Sequence, residues 1–159
     1  MSSIPSSRFT RTDLWREGTW LDLWSVVHFL SGVLLGLGFY FLHFGSIVSA
    51  ILALLLLISY EMWEMIVQIE EASTNRFMDV VVGMVGYLLA FFPLASWLPQ
   101  TETRFTFGAV LTTNILMSMF GWRASQKAAA LKKRMIARYS AQRARLLKQK
   151  VRFQERFRR

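Results

Sequence analysis

Charged and polar side chains occur inside the long apolar stretches of this chain, where an ionisable group is costly and usually marks a pairing or functional site. The complete set, including two residues just outside those stretches, is Asp22, His28, Glu61, Glu64, Asn75 and Asp79. Carboxylates and imidazoles can pair with opposite charges, bind divalent cations or transfer protons. The residue types alone therefore leave three kinds of chemistry open.

In the first interpretation, the groups pair with one another and with Arg76 or Asn75, which holds the helices together. In the second, they form a divalent-metal site, for which the candidate ligands are His28, Glu61, Glu64 and Asp79. Carboxylate oxygens suit Mg²⁺, Ca²⁺ or Mn²⁺, and an imidazole also admits Zn²⁺. In the third, a carboxylate and the imidazole act as general acid and base. Whether the protein is an enzyme stays open.

The spacing of these residues predicts that each lies on a helix face shared with small residues. Glu61 and Glu64 are three residues apart and so face the same way on one helix. Small side chains let membrane helices approach closely, and the predicted packing residues are Gly32, Gly36, Gly83 and Gly86. We therefore expect three helices packed through such faces, with the polar cluster at one end.

Four stretches have the length and composition of membrane spans. Hydrophobic residues make up 53% of the 159 residues, and a bilayer core requires about 20 apolar residues per helix. The predicted spans are residues 24–44, 47–69, 77–98 and 105–122. The predicted fold is all-α, a four-helix transmembrane bundle. The chain has no cysteine, which excludes disulfides, thiol catalysis and cysteine-ligated metals.

The first link, Pro93 and the fourth span each lead to a further structural prediction. A short link around Gly45 and Ser46 makes the first two helices an antiparallel hairpin, and Pro93 is expected to disturb the third helix. The fourth span carries a stripe that is expected to pack against a neighbouring helix, formed by Gly108, Thr112, Ile115 and Met119. Asn114 and Ser118 can donate hydrogen bonds to that neighbour.

Basic residues are concentrated at one end of the chain. Residues 123–159 contain fourteen Lys or Arg and only one acidic residue, Glu155. Because cytoplasmic loops are enriched in Lys and Arg, and because four spans place both termini on one side, we expect cytoplasmic termini. The predicted location is the inner membrane of the cell, with a cytoplasmic segment 1–22, a membrane domain 23–122 and a tail 123–159. This orientation puts the whole polar cluster in the cytoplasmic half of the bilayer.

The tail has the composition of a long C-terminal cationic amphipathic helix. It lacks Pro and Gly and is rich in good helix formers, with an apolar stripe at Ala124, Ala128, Leu131, Met135 and Tyr139. The predicted binding residues are Lys132, Lys133, Arg134, Arg138, Arg143 and Arg145. Anionic lipid is the first expected partner, and an acidic protein is the second. Nucleic acid is the least favoured because no nucleic-acid-binding fold is recognised, and a solvated tail is the remaining alternative.

Residues 22–90 resemble the VanZ-like group of small integral membrane proteins. The resemblance consists of Asp22, His28 and Phe29 in the first helix, an acidic second helix, and the run from Asp79 to Gly86 with Gly83 where the group usually has Asn. It implies a membrane protein linked to the cell envelope or to antibiotic response, without an assigned reaction.

Two functions follow as hypotheses. The first is an accessory subunit or assembly factor of an inner-membrane complex, since a small protein with small-residue faces and a basic tail suits binding to other components. The alternative is a VanZ-like membrane enzyme or metal-binding protein that acts on a lipid-linked envelope substrate. A channel or transporter is less favoured because four short spans leave little room for a pore.

Overall fold

A computed structural model of the protein describes residues 14–15, 18–66 and 72–157. These residues are helical apart from short links and form no β-strand. The elements, in chain order, are α1 (Leu23–Phe41), α2 (Ser46–Ile66), α3 (Ser73–Leu89), a π-helical segment (Ala90–Leu94), α4 (Ala95–Trp97) and α5 (Gln100–Phe157).

The predicted all-helical architecture with four membrane-length helices is confirmed. Four helical stretches are long and apolar enough to cross a bilayer, namely α1, α2, the stretch Ser73–Trp97 and α5. The third stretch begins at Ser73 rather than at Phe77, and the fourth at Gln100 rather than at Phe105. Polar residues such as Ser73 and Gln100 extend both helices beyond their apolar parts, which hydropathy alone does not detect. The predicted end of the second span, Ile69, lies outside the described residues.

The link between α1 and α2 turns at a residue that the sequence did not single out. His43 has a positive φ of 57°, a conformation in which His is tolerated better than most residues. The amide of Leu42 donates to the carbonyl of Gly38 at 3.0 Å and that of Phe44 to Phe39 at 3.1 Å, which closes the end of α1. Helices commonly end with such a left-handed residue.

α1 and α3 are the most closely packed pair of helices, and glycine makes this contact. A Cβ atom on Gly32 would overlap the backbone carbonyl of Gly83, and one on Gly86 would overlap that of Phe29. A Cβ on Gly36 would lie 2.7 Å from the carbonyl oxygen of Tyr87. The two backbones are therefore in direct contact, as small residues allow in membrane helices.

α2 joins this pair through side chains rather than through glycine. Leu57 packs against Gly83, where a Cβ atom would come within 2.8 Å of its methyl carbon. Deeper in the helices, the hydroxyls of Ser49 and Tyr87 form a buried hydrogen bond of 2.7 Å. The expectation of small-residue faces on all three helices therefore holds for α1 and α3, while α2 presents Ser49, Ala53 and Leu57.

Pro93 lies inside the π-helical segment Ala90–Leu94, between α3 and α4. Proline lacks an amide hydrogen and its ring crowds the carbonyl of the preceding turn, so an α-helix cannot continue unchanged through it. A π-helical turn is one way to accommodate that disturbance. The expectation that Pro93 disturbs the third span is confirmed.

The described residues up to Trp122 form one compact unit, in which the first part of α5 contacts α1. The rings of Phe41 and Phe107 meet edge to face at 5.8 Å. The amide of Asn114 donates a hydrogen bond of 3.0 Å to the hydroxyl of Ser31, so the predicted interhelical role of Asn114 is confirmed. Gly121 faces the indole of Trp24.

The prediction that the stripe Gly108, Thr112, Ile115 and Met119 of α5 packs against a neighbouring helix was wrong for the helices that the structure describes. Nothing lies within 4 Å of the Cβ position of Gly108, and Thr112, Ile115 and Met119 are exposed. The packing face of α5 lies instead around Phe107 and Asn114, which contact Phe41 and Ser31 of α1.

From Arg123 onward, α5 belongs to a second compact unit. The helix continues to Phe157, and all side chains of residues 131–150 are exposed. The three-part division into 1–22, 23–122 and 123–159 stays a prediction.

We expect Gly32→Ala to destabilise the protein by about 1–3 kcal/mol, the usual cost of overpacking, because its methyl group would overlap the backbone of α3. Gly38→Ala is the matched control in the same helix, since nothing lies within 4 Å of its Cβ position. It should be neutral or stabilising by up to about 1 kcal/mol through better helix propensity. Thermal unfolding in mild detergent measures both, and equal melting temperatures would contradict the close α1–α3 contact.

Candidate functional site

Three of the predicted site residues, each from a different helix, converge in the interior. His28 of α1 and Glu61 of α2 are each 5% exposed, and Asp79 of α3 is 1% exposed. Each offers one potential ligand atom, and these atoms all lie within 4.8 Å of one another. Ligands that bind one cation at 2.0–2.6 Å are at most about 4–5 Å apart, so the separation suits a shared ion.

The imidazole of His28 has a defined orientation. Its Nδ1 lies 2.9 Å from the backbone carbonyl oxygen of Trp24 and 3.7 Å from Oδ2 of Asp79. A carbonyl oxygen only accepts hydrogen bonds, so we assign the Nδ1 proton to this contact. In neutral His28 the lone pair is then on Nε2, which points toward Glu61. The edge of the Tyr60 ring packs against the imidazole, with ring centroids 5.4 Å apart.

Glu61 is the least satisfied member of the group. Its Oε1 lies 3.0 Å from Nε2 of His28, yet neither atom is aligned for a hydrogen bond with any described residue. Its second carboxylate oxygen, Oε2, also lacks a hydrogen-bond partner among the described residues. A lone pair and a carboxylate oxygen at this distance repel each other unless a cation neutralises them, either a proton or a metal ion.

Asp79, by contrast, is held by hydrogen bonds to both oxygens. The hydroxyl of Ser25 donates to Oδ1 at 2.5 Å, and the amide of Asn75 donates to Oδ2 at 3.3 Å. The carboxylate is therefore oriented by its neighbours before any further group binds. Such outer hydrogen bonds are typical of residues that orient a metal ligand or an acid.

Asp22 has a structural role that sequence reasoning missed. It caps α1 by accepting hydrogen bonds from the amides of Trp24 at 2.7 Å and Ser25 at 3.2 Å. The Asn75 amide also donates to it at 3.1 Å, so Asn75 bridges Asp22 and Asp79. The signal in the sequence was the Asp–x–x–Ser spacing of a capping box. The backbone amide of Asp22 donates a hydrogen bond of 3.2 Å to the hydroxyl oxygen of Ser25.

Glu64 is buried on the same face of α2, at 9% exposed, but it contributes no ligand atom to the group of three. The six predicted residues therefore separate into a centre of three, two supporting residues, and Glu64, which belongs to neither set. His28, Glu61 and Asp79 form the centre, while Asp22 and Asn75 support it from the cytoplasmic end predicted above. Ser25 and Trp24, which the sequence reasoning omitted, complete the hydrogen bonds.

Comparison of the chain with protein-family models, with curated proteins and with solved structures identifies no match. The assignment of the centre therefore rests on its geometry.

We expect Asn75→Asp to destabilise the protein by about 1–3 kcal/mol, because a buried donor between two carboxylates becomes a third carboxylate. Asn114→Asp is the matched control, since Asn114 also donates across two helices but bonds to the hydroxyl of Ser31. Melting in detergent should show the larger loss for Asn75→Asp. A smaller or equal loss would contradict the bridge between Asp22 and Asp79.

Proposed function

We propose that this chain is a multi-pass membrane protein whose His28, Glu61 and Asp79 bind a divalent cation. The observation that carries the proposal is the pair formed by Nε2 of His28 and Oε1 of Glu61, two buried acceptor atoms 3.0 Å apart without hydrogen-bond alignment. Adjacent ligands bound at 2.1 Å stand about 3.0 Å apart around an octahedral ion and about 3.4 Å apart around a tetrahedral one, so the separation suits a shared ion. A protonated His28 would instead form an ion pair with Glu61 at the same distance, which is the alternative that the metal measurements below distinguish.

Charge supports the same conclusion. The centre has two carboxylates and one imidazole, and an uncompensated charge inside an apolar helix bundle is costly. A divalent cation compensates both carboxylates while His28 stays neutral, with its Nδ1 proton directed at Trp24. Two oxygen ligands and one imidazole favour Mn²⁺ or Zn²⁺ over Mg²⁺ and Ca²⁺, which prefer oxygen ligands alone.

The deep burial of the three ligands favours ion binding over acid–base catalysis. Each is at most 5% exposed, whereas an acid or base must come within hydrogen-bond distance of its substrate. If the chain is a VanZ-like protein, as residues 22–90 suggest, a lipid-linked envelope substrate would have to reach the bound ion. We propose ion binding as the primary function and catalysis as the alternative.

The cellular placement is part of the proposal. The concentration of Lys and Arg after residue 122 supports the inner membrane with both termini in the cytoplasm. The same residues support a cationic amphipathic helix as the last part of α5. In this orientation the cation centre lies in the cytoplasmic half of the bilayer.

A role as an accessory subunit or assembly factor is the second candidate function, and the exposure of α5 favours it. Only 6% of the apolar part of α5 is buried, compared with 39% of the apolar part of α1. The open surface beside Gly108 would accept a close approach from a helix of another membrane protein. A protein partner at this surface is compatible with the cation centre, which lies on other helices.

The cation proposal predicts about one metal ion per chain in protein purified without chelator, measured by elemental mass spectrometry. His28→Ala should abolish this metal, and His43→Ala should not, because His43 is the other histidine of the chain and is exposed. Glu61→Gln should lower metal content in the same way, while Glu102→Gln, at an exposed position in the first turn of α5, should leave it unchanged.

The same preparations, stripped with chelator, test binding directly. Added Mn²⁺ or Zn²⁺ should raise the melting temperature of the wild type, since a ligand at a hundred times its Kd stabilises by about 2.7 kcal/mol. If the wild type is purified without metal and its melting temperature does not change with Mn²⁺, Zn²⁺, Mg²⁺ or Ca²⁺, the proposed metal centre is wrong. The remaining interpretation is then an ion pair between protonated His28 and Glu61.

The accessory function predicts that Gly108→Leu reduces recovery of partner proteins with the tagged full-length chain, because the new side chain occupies the open surface. Gly38→Leu is the matched control, a glycine in α1 that also has nothing within 4 Å. Mass spectrometry of material purified in mild detergent compares the two. Unchanged recovery with Gly108→Leu would exclude this surface as the docking site.

A further inference from the structure

The continuation of α5 beyond the apolar part combines dense positive charge with exposed apolar side chains. Residues 123–150 contain ten Lys or Arg and no Asp or Glu. Large apolar residues in the same segment are open to their surroundings, with Leu131 57%, Met135 43%, Tyr139 42% and Leu146 58% exposed. These residues take no part in the cation centre.

Four of the six exposed large apolar residues form one narrow stripe, and Ile136 and Leu147 lie outside it. At 100° per residue, Leu131, Met135, Tyr139 and Leu146 lie within an arc of about 80° on the helix. Lys132 and Arg143 border one edge of this arc. Arg138 and Arg145 border the other edge, where Lys127 also lies, and Lys150 lies on the same edge as Lys132 and Arg143.

This arrangement discriminates between partners. A second copy of the segment would bring together two helices that each carry ten positive charges, which repel. Nucleic acid would compensate the charge but offers no apolar phase to a row of Leu, Met and Tyr side chains. A bilayer surface containing anionic phospholipid offers phosphates and acyl chains at adjacent depths, and long Lys and Arg side chains reach the phosphates from a helix seated between them.

We propose that residues 123–150 bind the surface of a bilayer rich in anionic phospholipid. The stripe of Leu131, Met135, Tyr139 and Leu146 enters the boundary of the acyl chains, and the flanking cations contact lipid phosphates. This inference is independent of the proposed cation centre, because it uses neither its residues nor a metal.

The absence of cysteine makes a site-specific test direct. A fluorophore on Met135→Cys reports on the stripe, and one on Ala137→Cys reports on the opposite face of the same turn. Both full-length proteins are placed in lipid nanodiscs made of phosphatidylcholine alone or of equal parts phosphatidylcholine and phosphatidylglycerol. Iodide in the buffer and spin labels on the acyl chains then quench the two dyes according to their depth.

We expect the dye at residue 135 to be shielded from iodide and quenched by the acyl-chain labels, and only in discs with phosphatidylglycerol. The dye at residue 137 should stay accessible to iodide in every disc. Raising the salt until the screening length falls to about 3 Å should restore iodide access at residue 135 to the level seen in discs of phosphatidylcholine alone. Leu131→Ser with Tyr139→Ser should also restore it, while Ile136→Ser with Leu147→Ser, off the stripe, should not.

Two results would overturn the proposal. Equal access of iodide to both dyes in anionic discs would show a solvated helix. Shielding at residue 135 that is the same in neutral discs and insensitive to salt would show a protein contact in place of anionic lipid.

Discussion

The direct backbone contact between α1 and α3 is the constraint on which the site depends. Gly32 lies against Gly83, and each polar residue of interest stands one turn earlier, His28 before Gly32 and Asp79 before Gly83. The order of the contacts shows that α1 and α3 run parallel, because Gly36 meets Tyr87 further along both helices. Equal spacing on parallel helices places His28 and Asp79 at the same depth. A side chain larger than hydrogen at these glycines would separate the helices and the two groups.

The charges of the buried carboxylates then determine which groups can bind beside this contact. The apolar surroundings raise the cost of any charge that is not compensated. Asp79 is compensated by hydrogen bonds from Ser25 and Asn75, whereas Glu61 lies beside the imidazole without an aligned hydrogen bond to any described residue. Polar contacts between α2 and the other helices include one at Glu61 and one at Ser49. A cation at His28 and Glu61 would therefore join α2 to the α1–α3 pair as well as compensate the charge.

α5 meets two different environments within one helix. Its first part is apolar and contacts α1 through aromatic rings and the Asn114 amide. Its later part has a basic surface that includes the apolar stripe of Leu131, Met135, Tyr139 and Leu146. The change occurs near Arg123, where Trp122, the last tryptophan of the chain, is followed by a sequence rich in Lys and Arg. Tryptophan favours the boundary between acyl chains and headgroups, which is consistent with a bilayer surface near this position.

The sequence by itself determined the helical class, the four apolar stretches and the helix faces that bear His28, Glu61 and Asp79. Hydropathy and the 3.6-residue period are local properties, so they can be read without knowing the neighbours. The sequence also contained the Asp22–Ser25 capping signal, although its meaning was missed. It could not distinguish the packing glycines from the open ones, because Gly32 and Gly108 both lie in apolar helical stretches and differ in the neighbours that the fold brings to them.

The tertiary structure alone decided which polar residues meet. It separated Glu61 from Glu64, although both lie on one face of α2, because only Glu61 is level with His28. It revealed that Ser25, Trp24 and Ser49 form hydrogen bonds with Asp79, His28 and Tyr87, respectively. Serine hydroxyls and backbone carbonyls are common in any helix, so the sequence does not indicate which of them bond to such a residue. The physical reason is that helix periodicity fixes direction around an axis, while the depth and rotation of one helix against another depend on side-chain packing between them.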